Sequence, residues 1–186
     1  TDTSVAHSII KLKEDEDKAV VIDDNKLLGL AGEPGERLQF GDYIQKNIHL
    51  LKFKYGKKLS TKETANYMRS EMAHLLRKSP FYCFVVLAGC DVDGPGLYWI
   101  DYLATMHKVK TAAQGYCSYF LGGILDNQWK PDMTEEEATK LIQHCMDELG
   151  KRFVMTQHHF VVRKVDANGI SDVTKNFHTA VQKKCT

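Results

Sequence analysis

Four groups of residues in this chain have types and spacings that could carry chemistry. Gly29, Gly32 and Gly35 stand between an apolar stretch and an amphipathic one, where a phosphate-cradling loop would be sought. Their spacing is GxxGxxG rather than GxGxxG, and no Gly-Lys-Ser/Thr follows, which argues against a nucleotide site. Gly32 is required instead by the strand-to-helix turn. Asp91-Val92-Asp93-Gly94 has the opening spacing of a calcium loop, but Pro95-Gly96 and a strand follow, with no bidentate glutamate. It is expected to be a hairpin turn. His158 and His159 are adjacent, so on a strand they face opposite ways and cannot easily share a metal; a solvent-facing or interface role is expected. The five cysteines, Cys83, Cys90, Cys117, Cys145 and Cys185, include no CxxC pair, which argues against zinc. No metal and no cofactor is expected.

The bulk properties narrow the class further. A net charge of +1 gives no electrostatic footprint for nucleic acid or an anionic membrane. No apolar run approaches the ~20 residues of a membrane span, and the polar first residues do not read as a secretory signal. Free thiols in apolar surroundings suit a reducing compartment. With neither an internal repeat nor a linker, 186 residues are expected to form one domain, 1–186, whose last part, about 174–186, is a lysine-bearing tail with little to bury.

The elements that must position these residues follow from periodicity. Lys18 to Ile22 and Leu27 to Ala31 read as short strands around the turn Asp23-Asp24-Asn25. A helix is predicted from about Gly35, with Phe40, Ile44, Ile48, Leu51 and Tyr55 on its buried face and Gly56 ending it. Ser60-Thr61-Lys62-Glu63 is a capping box opening a second helix that buries Ala65, Met68, Met72 and Leu75/Leu76 and stops at Ser79-Pro80. Phe81 to Ala88 reads as a strand covered on both faces. Asp93-Gly94-Pro95-Gly96 turns it into Leu97–Asp101, and a further pairing is expected within Thr105 to Ala113. Tyr119 to Leu125 is a short helix. Thr134-Glu135-Glu136-Glu137 caps another, with Ala138, Leu141, Ile142, Cys145 and Leu149 inward. Phe160 to Val165 and Ile170 to Val173 form a closing hairpin around Asp166-Ala167-Asn168-Gly169. Strands, two helices, strands, two helices, strands: stacked sheets between two helical layers cover every apolar face.

Several phrases of the chain resemble the β subunits of 20S proteasomes. They include Ala31-Gly32-Glu33, Leu38-Gln39-Phe40 and Asp42-Tyr43-Ile44-Gln45-Lys46-Asn47-Ile48. Further along come Leu97-Tyr98-Trp99-Ile100-Asp101-Tyr102-Leu103, Ala113-Gln114-Gly115-Tyr116 and Lys130-Pro131-Asp132-Met133-Thr134. Within that family they are most similar to a non-peptidase group, the beta type-2 subunits at ring position four. The resemblance covers nearly the whole chain. It implies an α/β (α+β) four-layer αββα sandwich of the N-terminal-nucleophile hydrolase type, here lacking its first strand.

Active members of that family cut peptides with an N-terminal threonine hydroxyl, which needs a base, a nearby positive charge and oxyanion donors. The resemblance implies that Thr1 is not that nucleophile, because Thr1-Asp2 matches the end of the first hairpin. Asp2 falls on the family's aspartate, Lys18 on its lysine and Gly32 on its oxyanion glycine. Tyr116 stands where active members have a small serine, Phe153 replaces an aspartate, and Thr156 keeps a hydroxyl nearby. No catalytic residue is expected, and the pocket is read as vestigial. Independent of the resemblance, Asp2 has the type to bond turn amides, and Lys18 closes a charged run, Lys13 to Lys18, of the kind usually solvated. The implied function is a structural β subunit supporting ATP- and ubiquitin-dependent degradation by neighbouring peptidases. Its implied partners are adjacent β subunits, α-ring subunits and the opposing β ring, with no nucleic acid or membrane, in cytoplasm and nucleus. The alternatives are an active threonine peptidase using Thr1, which a threonine-directed probe would label, a free-standing scaffold domain, which would be a stable monomer, and an α-ring subunit, against which the resemblance implies a long N-terminal helical extension that this sequence does not show.

Overall fold

The computed structural model describes residues 1–7, 10–155 and 157–178. In chain order the elements are β1 (Val5–His7), β2 (Ile10–Lys13), β3 (Ala19–Asp23), β4 (Lys26–Gly32), α1 (Pro34–Tyr55) and α2 (Thr61–Leu75). They continue with β5 (Cys83–Asp91), β6 (Gly94–Ile100), β7 (Met106–Lys108), α3 (Ser118–Gln128), α4 (Glu135–Arg152), β8 (Arg163–Asp166) and β9 (Gly169–Asp172). Contacts divide the chain into two compact units: residues 18–110 with 164–171, and residues 1–17 with 111–163 and 172 onward. Helices and sheets alternate as an αββα sandwich requires. Among the described residues no helix is long and apolar enough to cross a membrane.

The larger unit is built on an antiparallel sheet in the order β3-β4-β5-β6-β7. Register places Leu28 opposite Leu87, Leu30 opposite Val85 and Gly32 opposite Cys83. Period-two alternation sends Cys83, Val85 and Leu87 to the buried face, while Phe84, Val86 and Ala88 are half-buried. The run reads as unbroken because its half-buried face is apolar as well. The turn into β6 is Val92-Asp93, two residues earlier than the sequence suggested, and Pro95 lies inside the strand opposite Cys90. Proline is tolerated there because β7 pairs only with Tyr98–Ile100, leaving that stretch of β6 an edge.

Helices α1 and α2 cover the buried face. Pro34 starts α1, where its missing N–H costs nothing. Gly56 ends it in the left-handed region at φ 65°, its N–H donating to Lys52 O at 2.9 Å. Phe40, Ile44 and Ile48 are buried, Leu51 is half-buried, and Tyr55 is exposed, contrary to expectation, because it sits in the last turn beyond the sheet-facing core residues. In α2 the predicted capping box is present: Glu63 N donates to Ser60 Oγ at 3.2 Å and Ser60 N to Glu63 Oε2 at 2.7 Å. Ala65, Met68 and Met72 are buried, whereas Leu75 and Leu76 are only half so. Gly89 lets the start of α2 dock, since a Cβ there would meet Thr61 Oγ1 at 2.2 Å.

The smaller unit pairs α3 with α4 around Leu121, Leu125, Leu141, Cys145 and Leu149. The Thr134 capping box is present, with Glu137 N donating to Thr134 Oγ1 at 3.3 Å and Thr134 N to Glu137 Oε2 at 2.8 Å. Met146 is buried, whereas Ala138 and Ile142 are exposed, so the buried stripe of α4 is narrower than the sequence suggested. The β1–β2 hairpin, where the sequence showed only a charged run, pairs Ala6 with Lys11 and has a bulge beside Val5. Residues 1–3 run antiparallel to 159–161: Val161 N donates to Thr1 O at 2.8 Å, Thr3 N to His159 O at 3.2 Å, and Asp2 bridges Phe160. Phe160 therefore belongs to this pairing rather than to the closing hairpin, which is confined to β8 and β9 around Ala167-Asn168.

Candidate functional site

Of the sequence-predicted positions, Lys18 and Gly32 belong to the larger unit, and Asp2, Tyr116 and Phe153 to the smaller. Thr156 and Cys185 lie outside the described residues. Each group is built by its own elements.

Gly32 closes β4 with φ 129°, a conformation that side chains rarely adopt, and a Cβ there would lie 2.4 Å from Tyr82 O. Two independent constraints thus demand glycine before α1 begins. Glu36, in the first turn of α1, accepts a hydrogen bond from Tyr82 N and so ties the turn to the strand approaching it. Beside it Cys83 is buried. Burial, and then the Glu36 charge, push its thiol up to about 12, so it stays protonated and unreactive. Lys18 is half-buried rather than fully solvated, and its carbonyl accepts from Leu30 N at 3.0 Å. The lysine therefore enters the sheet directly before β3, two residues of β4 away from Gly32.

In the smaller unit the structure brings Tyr116 and Phe153 together. Their rings stack at 6.3 Å with an interplanar angle of 30°, and Phe120 meets Phe153 edge-on at 6.2 Å. The backbone turn that presents Tyr116 uses Gly115 at φ 74°. Phe153 is placed by the end of α4, where its N–H donates to Leu149 O at 2.9 Å. The cluster offers aromatic surface and one phenol, with no carboxylate contributed at either position. Asp2 Oδ2 accepts from Ser4 N at 3.2 Å, the turn-amide bond its residue type suggested. Its charge also acts on Cys117: burial first, then Asp2, raise that thiol, which donates to Gln114 O at 2.9 Å.

One polar cluster was not anticipated. Lys26 in β4 is 1% exposed. Its Nζ donates to Asn25 Oδ1 at 2.9 Å and lies 3.6 Å from Asp91 Oδ1. Asp91 Oδ2 accepts from Thr61 N at 2.6 Å, and Asn25 Nδ2 donates to Cys90 O at 2.6 Å. Burial opposes the Asp91 charge, but the Thr61 bonds and Lys26 outweigh it and hold the carboxyl below its usual range. One carboxylate thus compensates a buried ammonium and caps α2. Lysine in a sequence reads as surface, and only the apolar residues two positions on, Leu28 and Leu30, hinted that this one points inward.

The remaining candidates are placed as follows among the described residues. Asp91 is committed to Thr61 and Lys26, as a hairpin rather than a calcium loop requires. The His158 and His159 rings sit 6.5 Å apart, closer than opposite faces of a strand would place them, because the chain there is not in a regular strand. Among the described residues no three His, Cys, Asp or Glu side chains gather as a metal site would need.

Comparison with known proteins places these features in a family. The proteasome subunit model matches residues 1–165. The chain is 46% identical over 179 residues to proteasome subunit beta type-2 of Oryza sativa subsp. japonica, spanning 96% of this chain and 84% of that protein. It is 45% identical over 172 residues to beta type-2-A of Arabidopsis thaliana, spanning 92% and 84%. Against beta type-2 of Dictyostelium discoideum it is 41% identical over 173 residues, spanning 91% and 87%. With a single family model covering most of its length and similarity of this order to proteins of plants and an amoeba, the chain belongs to the proteasome family, as a 20S β subunit.

Proposed function

We propose that this chain is a non-peptidase β subunit of the 20S core, a component of a threonine-protease complex whose own contribution is geometric. It occupies position four of the β ring, in contact with neighbouring β subunits, the α ring and the opposing β ring, in cytoplasm and nucleus. A closed heterologous ring requires two different side surfaces on each subunit. Those surfaces, rather than a cleft, are its working parts, and through them it supports ATP- and ubiquitin-dependent degradation by its neighbours.

The observation that carries this reading is the Tyr116–Phe153 ring stack. A threonine hydroxyl is activated only where neighbouring polar groups hold the proton it gives up. By resemblance, peptidase members have a small serine and an aspartate at these two positions. Two stacked rings stand at these positions instead, and neither side chain carries a charge that could take up a proton. The retained Gly32 is accounted for by its φ and by the closeness of Tyr82 O, without an oxyanion.

The test is an intact-mass measurement of the subunit released from its native particle after treatment with a threonine-directed activity probe. An unmodified subunit, in a particle whose other subunits are labelled, is the expected result. A subunit that carries the probe on Thr1 would make it an active peptidase and sink the proposal.

A further inference from the structure

The turn Asp166-Ala167-Asn168-Gly169, between β8 and β9, is not used by the site described above, and it carries a reactive pair. Of the chain's six asparagines, Asn168 alone is followed by glycine; the others precede Lys26, Ile48, Tyr67, Gln128 and Phe177. The backbone nitrogen after an asparagine can attack the asparagine's own side-chain amide carbon. A side chain on that next residue obstructs the approach, and glycine has no Cβ to do so.

The fold both requires this pair and leaves it open. Gly169 has φ 115°, a conformation that side chains rarely adopt, and a Cβ there would lie 3.2 Å from Asp24 O. Ala167 and Asn168 are exposed. An asparagine side chain in a turn commonly bonds a backbone amide. Here Asp166 does that instead, its Oδ1 accepting from Asn168 N at 2.8 Å. Among the described residues the Asn168 side-chain amide has no hydrogen-bond partner. Other asparagine amides are held. Asn25 Nδ2 donates to Cys90 O at 2.6 Å, and Asn47 and Asn66 donate to Tyr43 O and Lys62 O, each at 2.8 Å. The last two are barred twice, because the N–H that follows each is committed to its helix.

We propose that Asn168-Gly169 is a site of spontaneous covalent modification, where the folded protein converts asparagine to aspartate and isoaspartate with water as co-reactant. The Gly169 nitrogen bonds to Asn168 Cγ. The side-chain amide leaves as ammonia, carrying the proton that the nitrogen gave up, and a succinimide ring remains. Water then adds to either ring carbonyl and the ring C–N bond there breaks. Opening at Cγ restores an ordinary backbone with an aspartate; opening at the backbone carbonyl leaves the chain running through the side chain as isoaspartate. No electrons are transferred. Either product places a second carboxylate beside Asp166. Isoaspartate also lengthens the backbone of a two-residue turn by one methylene, which disturbs the register of its strands. A two-stranded sheet such as β8–β9 has little stability of its own to resist that. The inference is independent of ring position and of whether the subunit cuts peptides.

The full chain is incubated at neutral pH, folded and in guanidinium chloride, and every asparagine peptide is followed by mass spectrometry. An isoaspartyl methyltransferase with a labelled methyl donor counts isoaspartate separately. In the folded chain Asn168 is expected to convert at least about tenfold faster than Asn47, Asn66 or Asn176. Its folded rate is expected to lie within about tenfold of its rate in denaturant, because the hairpin leaves the amide unbonded. An aged chain should be cut by a protease within residues 163–172 several-fold faster than an equally aged Asn168→Ser chain, which cannot form the ring. Conversion of Asn168 no faster than that of the helical asparagines, or conversion confined to the denatured chain, would overturn the site. Equal cutting of the two aged chains would overturn its consequence for the hairpin.

Discussion

The two helical pairs of this protein solve the same problem with different margins. Both open a helix with a reciprocal capping box, Ser60/Glu63 and Thr134/Glu137. Helices α1 and α2 lie on a sheet, and the residues they bury, Phe40, Ile44, Ala65 and Met68, have no exposure at all. Helices α3 and α4 bury Leu121, Leu125, Leu141 and Leu149 to between 6% and 8% exposure. They also differ in sign. Residues 118–152 hold seven Asp and Glu against four Lys and Arg, a net of −3, where residues 34–79 hold +6. A sheet gives a helix a continuous apolar floor, whereas a helix partner gives only a stripe. One unit thus carries a completely buried helical seam with a cationic sequence, the other a less completely buried seam with an acidic one.

The sharpest way to break that comparison is to empty each core in turn. Phe40→Ala removes a fully buried ring that meets Phe81 edge-on at 5.1 Å, and is expected to cost about 3–5 kcal/mol. Leu141→Ala should cost nearer ~2–3 kcal/mol, because its site is already at the margin. Urea midpoints of the full chain check both, and equal losses would show that the two cores are equally closed.

Next in size is the buried ion pair, which the acidic layer lacks among its described residues. Asp91→Asn leaves Lys26 uncompensated and frees the N-terminus of α2, with an expected loss of about 2–4 kcal/mol near neutral pH. The folded carboxyl is held below its usual range, so its contribution is present above the unfolded value of about 3.9 and is lost as pH falls through the folded one. The stability difference between the unaltered chain and the Asp91→Asn variant should therefore shrink below about pH 4. A gap that stays constant from about pH 7 to about pH 3 would remove the electrostatic account. Adding Lys26→Met to Asp91→Asn should recover most of the loss by removing the buried cation.

Ser60→Ala and Thr134→Ala test the feature the two layers share, and each should cost about 1 kcal/mol. Unequal losses would mean that charge in the first turn matters, since Glu135 and Glu136 add to the helix start in α4. The smallest effect is expected at Tyr116, which is largely exposed. Tyr116→Ser should change stability by less than about 0.5 kcal/mol, in contrast with Phe153→Ala, which removes the ring that both Tyr116 and Phe120 touch.

What could be seen in the sequence follows the range of the interactions. Both capping boxes, the Gly56 terminus and the Gly32 turn are decided within four residues, and all are found where the sequence puts them. Periodicity puts Tyr55, Ala138 and Ile142 inward, and they are exposed. Periodicity fixes direction, but burial also needs something on the other side. The β1–β2 hairpin was missed because Ile10 and Leu12 are exposed and its strands interleave lysines, so no buried alternation marks it. At the site, glycine at position 32 was legible from turn chemistry. The pairing of Tyr116 with Phe153, far apart in the chain, had no local signal and rested on family resemblance. Lys26 is invisible for the same reason, since its compensation arrives from Asp91 on the neighbouring strand, 65 residues on.

The pairing of Thr1 with Val161 spans 160 residues, and that sets a clock on biogenesis. At about 5–20 residues per second of synthesis, the first residues wait roughly ten to thirty seconds on the ribosome before their partner strand exists. Residues 18–110 have their sheet and both covering helices long before that moment. The strands of that sheet are thus synthesised in full while residues 1–3 still lack the segment they pair with, and the backbone groups of those residues stay open to other partners until it arrives.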